Sequence, residues 1–374
     1  MAMSFLLIAS FPDSLIAFRG HLIDALIKKG LKIHVAVPDL SSDSIVYELL
    51  REKGVEIHDV PLSRTGMNPF KDFLLFIYLC RLILTIRPDF IFCYTIKPVI
   101  YGSLAAWLMR VPRRYVLITG LGYAFSSKTL GIQKFVHIAI RQLYRLSLSG
   151  VNNVFFQNKD DEKLFKDLKI MSSMKRSVVI NGSGVDVSLF TPAALPKNAQ
   201  FLMIARLLGD KGVREYAAAA SIIKQRHPEV VFKLAGWIDS NPDVIAQAEL
   251  DAWIKGGEID YLGRLDDVQP AIAACSVYVL PSYREGIPRT VLEAMAMGRA
   301  IITTYAPGCR ETVVDGENGF LVSVKSVESL VYAMHKFIDD ESLAAKMGAV
   351  SRQIAVDKYD VHKVNAAILK EMNI

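Results

Sequence analysis

Glu285 and Glu293 stand eight positions apart in the run Pro281-Ser282-Tyr283-Arg284-Glu285-Gly286-Ile287-Pro288-Arg289-Thr290-Val291-Leu292-Glu293-Ala294-Met295-Ala296-Met297-Gly298. The apolar segment Ser276-Val277-Tyr278-Val279-Leu280 ahead of them reads as a strand, and Pro288 sits where a helix opens. The first amides of a helix lack intrahelical acceptors and carry the positive end of its dipole, so the junction is a place for an anion. One carboxylate precedes that place and the other lies inside the helix. Acids that can grip hydroxyls beside a phosphate-binding turn suit a sugar nucleotide. The plainer alternative is structural: doubly wound proteins have many strand-turn-helix junctions, and glutamate is a good helix former.

A second constellation shifts that balance. Phe201-Leu202-Met203-Ile204-Ala205 is strand-like and ends in Arg206, and the turn-like Leu207-Leu208-Gly209-Asp210 brings Lys211 five residues later. Arginine offers a planar fork of donors and lysine a compact charge. Converging on a diphosphate, they would stabilise charge growing on a leaving phosphate. Alone, such a pair is commonly a solvated surface pair; beside the glutamates, in the same half of the chain, it is specific.

At these residues the chain resembles the retaining GT-B glycosyltransferases of family 4. The resemblance runs over nearly the whole length and is strongest at Arg206 to Lys211, at Tyr261-Leu262-Gly263-Arg264, and from Pro281 to Thr304. It implies that Arg206 and Lys211 bind the donor diphosphate and, with Glu285 facing the donor sugar, form the catalytic set. It implies that Glu293 holds the ribose and that amides near Gly286, Ile287, Thr290 and Val291 cradle phosphate. Gly263 and Arg264 would border the base. No metal and no cofactor are expected, the UDP-sugar being a co-substrate.

Phe18-Arg19, Ser63-Arg64, Asn68-Pro69-Phe70, Lys97 and Gly120-Leu121-Gly122 are similar to bacterial enzymes that build lipid-linked glycans and O-antigen repeats by α-1,3 transfer of N-acetylgalactosamine. The partners this implies are a UDP-N-acetylhexosamine and a polyprenyl-diphosphate-linked glycan acceptor, at the inner face of the bacterial cytoplasmic membrane. UDP-GlcNAc or UDP-galactose as donor is one alternative, and a non-catalytic, membrane-docked sugar-nucleotide scaffold is another. The chain departs from the family twice. Its first loop, Phe11-Pro12-Asp13-Ser14, lacks the paired glycines, and Ile96 stands where many members have a histidine. Lys97 is the nearby polar candidate for acceptor phosphate or donor sugar, against a purely structural role. Asp13 is an acceptor-side carboxylate or, as the better reading, a turn former or cap before a helix near Leu15. Gly120 and Gly122 permit a close backbone turn that is conformational or admits the acceptor.

These groups need a scaffold, and the chain alternates accordingly. Apolar runs near 4–9, 32–37, 55–60, 89–94, 115–118 and 151–156 read as strands between amphipathic helical segments, and the pattern repeats from 200 to 355. Such alternation predicts parallel sheets with helices on both faces, hence two Rossmann-like domains facing across a cleft, with ligands at the carboxyl ends of the strands. The expected divisions are an acceptor domain over 1–187, a linker from Val187 to Asn198, a nucleotide-sugar domain over 199–356, and a tail over 357–374 returning to the first domain.

At 374 residues and 52% hydrophobic content, two globular domains fit. Cys80, Cys93, Cys275 and Cys309 form no Cys-x-x-Cys pair and read as buried free thiols of a reducing cytoplasm. The net charge of +6 is uneven. Between Lys71 and Arg145 eleven lysines and arginines face only Asp72 and Asp89, with large apolar residues among them. That interleaving suits a helix lying on an anionic membrane surface. A helix stripe covering a sheet, or a solubility patch, would look similar. No nucleic-acid-binding module appears, so nucleic acid is not an expected partner.

Overall fold

A computed structural model describes residues 2–63, 68–120, 132–238 and 243–374. Gly122 and Leu121, with Arg64, lie outside them. The described chain divides into two compact units, Met1–Ile180 with Asn365–Ile374, and Asn181–Val364.

The first unit is built on a seven-stranded parallel sheet. Its strands are β1 (Ser4–Ile8), β2 (Lys32–Val37), β3 (Glu56–Asp59), β4 (Phe90–Tyr94), β5 (Arg113–Ile118), β6 (Asn153–Phe156) and β7 (Ser177–Val179), in the order β3-β2-β1-β4-β5-β6-β7. The second carries β8 (Gln200–Ile204), β9 (Val231–Ala235), β10 (Asp260–Gly263), β11 (Val277–Leu280), β12 (Ala300–Thr304) and β13 (Gly319–Val322), in the order β10-β9-β8-β11-β12-β13. All the pairings are parallel. Strands with helices on both faces bury both sets of side chains, which is why they read as unbroken apolar runs: β1, β4, β11 and β12 are buried almost throughout.

In each sheet the strand order reverses once, between β1 and β4 and between β8 and β11. Chains leaving the strands diverge there and open a crevice at the carboxyl ends. The loops after β8 and β11 are the two that carry Arg206, Lys211 and Glu285.

Several boundaries differ from the sequence expectation, each for a local reason. The three-residue, half-buried β7 is too short to show a period. The helix expected near Leu15 is the first of two short ones, Asp13–Ala17 and Gly20–Lys28. Pro288 is the cap residue of its helix, which begins at Arg289. Residues 181–190 belong to the second unit: Val185 exchanges backbone bonds with Tyr359 and Val361, and Phe190 is buried in the second core. The returning segment of the first unit accordingly starts at Asn365. There Glu371 pairs with Arg176 at 2.7 Å, and Tyr115 donates to the carbonyl of Met372 at 3.0 Å.

Candidate active site

The site in the second unit is assembled by backbone before any side chain acts. Past β8 the chain enters a turn at Gly209–Lys211, and Gly212 ends it with φ +77°. A Cβ on Gly212 would lie 2.2 Å from the carbonyl of Pro281. This glycine therefore lets the loop after β8 lie against the loop after β11. Two further bonds lock the contact: Tyr283 N and Ser282 Oγ both donate to the carbonyl of Asp210, at 2.8 and 3.1 Å. From the other side, Glu285 N donates to Pro307 O at 2.9 Å, and Thr304 Oγ1 donates to Ser282 O. Gly308, at φ +82°, has room only for a hydrogen where a Cβ would meet Glu285 O at 2.2 Å.

Held this way, Lys211 Nζ lies 2.6 Å from Glu285 Oε1, both side chains being largely buried. Burial opposes the lysine's charge, but Glu285 and Asp210 outweigh it and hold the ammonium above its usual pKa. The Asp210 pKa is raised as well: burial lifts its carboxyl, with Glu285 and Asp243 adding to the rise against Lys211 and Arg206. Arg206, half-buried at the end of β8, thus shares one electrostatic field with Lys211, Asp210 and Glu285.

Glu293 is 6% exposed in the helix Arg289–Ala296 and accepts from Arg289 Nε at 2.7 Å. Burial raises its pKa, with Arg289 pulling it back. Thr290 Oγ1 donates to Ile204 O at 3.5 Å, tying the helix start to β8. Ile287 and Val291 are buried, Ile287 against Gly182, so only backbone from them can meet a ligand. The expected amide cradle is shorter than expected: Val291 N already donates to Pro288 O at 3.2 Å.

A third wall comes from β9 and β10. Gly236, at φ +154°, brings that loop to within 1.9 Å of Ala205 O from a would-be Cβ, and Leu207 N donates to Trp237 O at 3.0 Å. The Arg264 guanidinium lies 5.2 Å from the centre of the exposed Trp237 ring. Gly263, at φ +71°, has open space where a side chain would stand.

In the first unit the predicted residues fare unequally. Lys97 Nζ is 2.7 Å from Asp72 Oδ1, both largely buried, and Tyr101 Oη donates to Asp72 Oδ2 at 3.2 Å. Its charge is therefore matched by an internal carboxylate that joins the loop after β4 to the helix Pro69–Ile86. Asp13 is exposed in the first turn of its helix, behind Pro12 as the cap. Phe18 is 36% exposed, and Arg19 is buried with its guanidinium 5.3 Å from the centre of the Tyr94 ring. Gly120 has φ +140°, which side chains rarely adopt. Ile96 is half-buried against the apolar core.

Sequence reasoning missed Tyr94 and Ser14, which meet at the β1/β4 reversal. Ser14 Oγ donates to Phe11 O at 2.6 Å, leaving Tyr94 Oη to donate to Ser14 Oγ at 2.8 Å. Burial pushes the Tyr94 hydroxyl up to about 12. It also missed Asp72, Asp210 and Tyr283. Ser14 and Asp210 follow the strands at the two reversal points, a signal visible only once strand order is known.

Both the sequence and the fold of the chain match known proteins. The model of the family described as glycosyl transferases group 1 matches residues 190–354, and that described as glycosyl transferase 4-like matches 8–158. The N,N'-diacetylbacillosaminyl-diphospho-undecaprenol alpha-1,3-N-acetylgalactosaminyltransferase of Campylobacter jejuni is 29% identical over 371 residues, covering 96% of this chain and 95% of its own. The UDP-Gal:alpha-D-GlcNAc-diphosphoundecaprenol alpha-1,3-galactosyltransferase of Escherichia coli is 29% identical over 299 residues, 76% of this chain and 75% of its own. Among solved structures, Anabaena HepE in complex with UDP superimposes with a TM-score of 0.77 at 19% identity, covering 100% of both chains. Sucrose-phosphate synthase from Thermosynechococcus elongatus gives 0.79 at 17%, covering 99% of this chain and 98% of its own. Both units thus match glycosyltransferase family models, group 1 in the second and 4-like in the first, and the chain is a glycosyl-transferring enzyme with the GT-B fold.

Proposed function

We propose that the enzyme transfers an N-acetylhexosamine, GalNAc from UDP-GalNAc, in α-1,3 linkage to a hydroxyl of a polyprenyl-diphosphate-linked saccharide, with retention at the anomeric carbon. The observation that carries the donor side is the Lys211–Glu285 pair at 2.6 Å, pinned between the two loops that flank the β8/β11 reversal. A diphosphate there meets Arg206, Lys211 and the first amides of the helix Arg289–Ala296. Their charge grows in value as the leaving group becomes anionic. Glu293 takes the ribose hydroxyls, and Gly263 and Arg264 border the base.

In the reaction the C1–O bond to UDP breaks and a C1–O bond to the acceptor forms on the same face. The acceptor hydroxyl proton passes to the departing phosphate. Glu285, relieved of Lys211 by the diphosphate, orients the sugar and forms no covalent bond. The two cations stand where other transferases use a divalent ion, so turnover is independent of metal and of any cofactor.

The sugar and acceptor rest on the Campylobacter jejuni relative, whose name specifies both and which aligns over nearly the whole chain. The Escherichia coli relative favours a second reading, with UDP-galactose as donor. The test is a panel of UDP-GalNAc, UDP-GlcNAc and UDP-galactose against short polyprenyl-diphosphate saccharides, read by mass with and without EDTA. GalNAc transfer unaffected by EDTA is expected; transfer of galactose alone selects the second reading, and EDTA-sensitive transfer contradicts metal independence.

The acceptor is a lipid, and the first unit has a surface suited to its membrane. The helix Pro69–Ile86 exposes Phe70, Phe73, Leu74, Tyr78 and Leu84 beside the exposed Lys71 and Arg81. Trp107 and Leu108 are exposed at the end of the helix Ser103–Leu108, which packs against it, and the exposed Arg110 follows in the turn beyond. Two other arginines of the basic region are engaged locally: Arg114 binds the carbonyls of Gly150 and Val111, and Arg113 lies 4.5 Å from the centre of the Phe90 ring. No helix among the described residues is long and apolar enough to cross a membrane. We place the enzyme peripherally on the inner face of the cytoplasmic membrane through this face.

A further inference from the structure

At the edge of the first sheet, β2 and β3 put Lys32, His34, Glu56 and His58 on one face. Register pairs His34 with Glu56 and Ala36 with His58, so alternate residues of the two strands stand side by side. His34 Nδ1 lies 3.1 Å from His58 Nε2 and 3.2 Å from Glu56 Oε2. One ligand atom from each of the three residues lies within 4.8 Å of the others. A tetrahedral zinc ion with bonds near 2.0–2.1 Å separates its ligand atoms by roughly 3.3–3.4 Å. Both measured separations fall within a few tenths of an ångström of that edge.

The geometry points to a zinc-type site in which His34 Nδ1, His58 Nε2 and Glu56 Oε2 ligate one divalent transition-metal ion, water filling the fourth position. Imidazole with one carboxylate suits Zn2+ better than Mg2+ or Ca2+, which take all-oxygen shells. His34 is 5% exposed and gives the site a fixed floor, while the exposed Glu56 leaves a path from solvent. Lys32 Nζ is 2.5 Å from Glu56 Oε1, the oxygen not used for metal, and its charge opposes the ion.

The role is structural. β3 ends the sheet, and an ion joining it to β2 would stop the edge strand from fraying. The residues assigned to donor chemistry lie in the other unit, so the ion takes no part in transfer.

The test uses the full-length, tag-free protein stripped with EDTA. Equilibrium dialysis against Zn2+ should give one bound ion, a raised melting temperature, and with Co2+ the visible absorption of a tetrahedral complex. His58→Gln and Glu56→Gln should each weaken Zn2+ binding at least 100-fold and 10-fold, and His335→Gln should leave it unchanged. Lys32→Met, which keeps every ligand, should tighten binding several-fold and guards against loss by misfolding. Less than half an equivalent bound by the wild type, or binding indifferent to both His58→Gln and Lys32→Met, overturns the site.

Discussion

Lys211 Nζ donates to Glu285 Oε1 at 2.6 Å across loops that leave neighbouring strands of one sheet. The two residues are 74 positions apart, and the contact exists because Asp210 O receives both Tyr283 N and Ser282 Oγ. In the unliganded protein the lysine is thus held, charged, by the carboxylate it must release when a diphosphate arrives.

That competition gives an unusual expectation for Glu285→Gln. Removing the carboxylate frees Lys211 and removes repulsion with phosphate, so UDP should bind several-fold more tightly. Transfer should fall at least 100-fold, because the sugar loses its orienting group. Calorimetry with UDP and single-turnover kinetics separate the two; parallel losses in both would contradict the assignment.

Glu293→Gln tests the ribose contact. A hydrogen bond to a charged group contributes about 1.5–3 kcal/mol, or roughly 10- to 150-fold. The wild type should prefer UDP to 2′-deoxy-UDP by a factor in that range, and the variant should lose the preference. Stability should respond too. Burial raises the Glu293 pKa, so the folded state holds this proton more tightly than the unfolded chain. The resulting stabilisation is complete below the unfolded carboxyl pKa and is lost as pH rises through the raised folded value. Urea titrations should therefore show the variant gaining on the wild type as pH rises above the unfolded carboxyl pKa.

Gly212→Ala tests the loop junction. A left-handed backbone costs a side-chain-bearing residue about 1–2 kcal/mol, and the added Cβ meets Pro281 O at 2.2 Å. The urea midpoint should fall by at least that equivalent. Turnover of the folded fraction should fall with it, because Lys211 moves with the turn.

For the membrane face, Lys71→Glu with Arg81→Glu should weaken sedimentation with anionic vesicles more than tenfold, each lost cation contributing about 1 kcal/mol. Phe73→Ser with Leu74→Ser should weaken it further without altering UDP affinity. Vesicle binding unchanged in both pairs would remove this face from consideration.

The alternation of apolar runs and amphipathic segments made the two parallel sheets legible, because strands buried on both faces leave an unmistakable record. Arg206, Lys211 and Glu285 were legible as residues at strand ends beside turns. What holds them was not. Asp210 O, Pro307 O and Gly308 act through backbone, and nothing in their identity announces a partner 20 or 70 residues away. Lys97 shows the same limit: its partner Asp72 lies 25 positions upstream on another element, so a lone lysine after a strand read equally as a ligand. The unit boundary at Ile180 was hidden because Val185 binds Tyr359 and Val361, a pairing across most of the second unit.

The most direct test compares UDP with uridine on the wild type and on Lys211→Ala by calorimetry. UDP affinity should drop about 10- to 100-fold in the variant, the range for a charge-assisted contact, while uridine affinity stays the same. Equal UDP affinity in the two proteins, or an equal loss for uridine, would contradict a diphosphate held by Lys211.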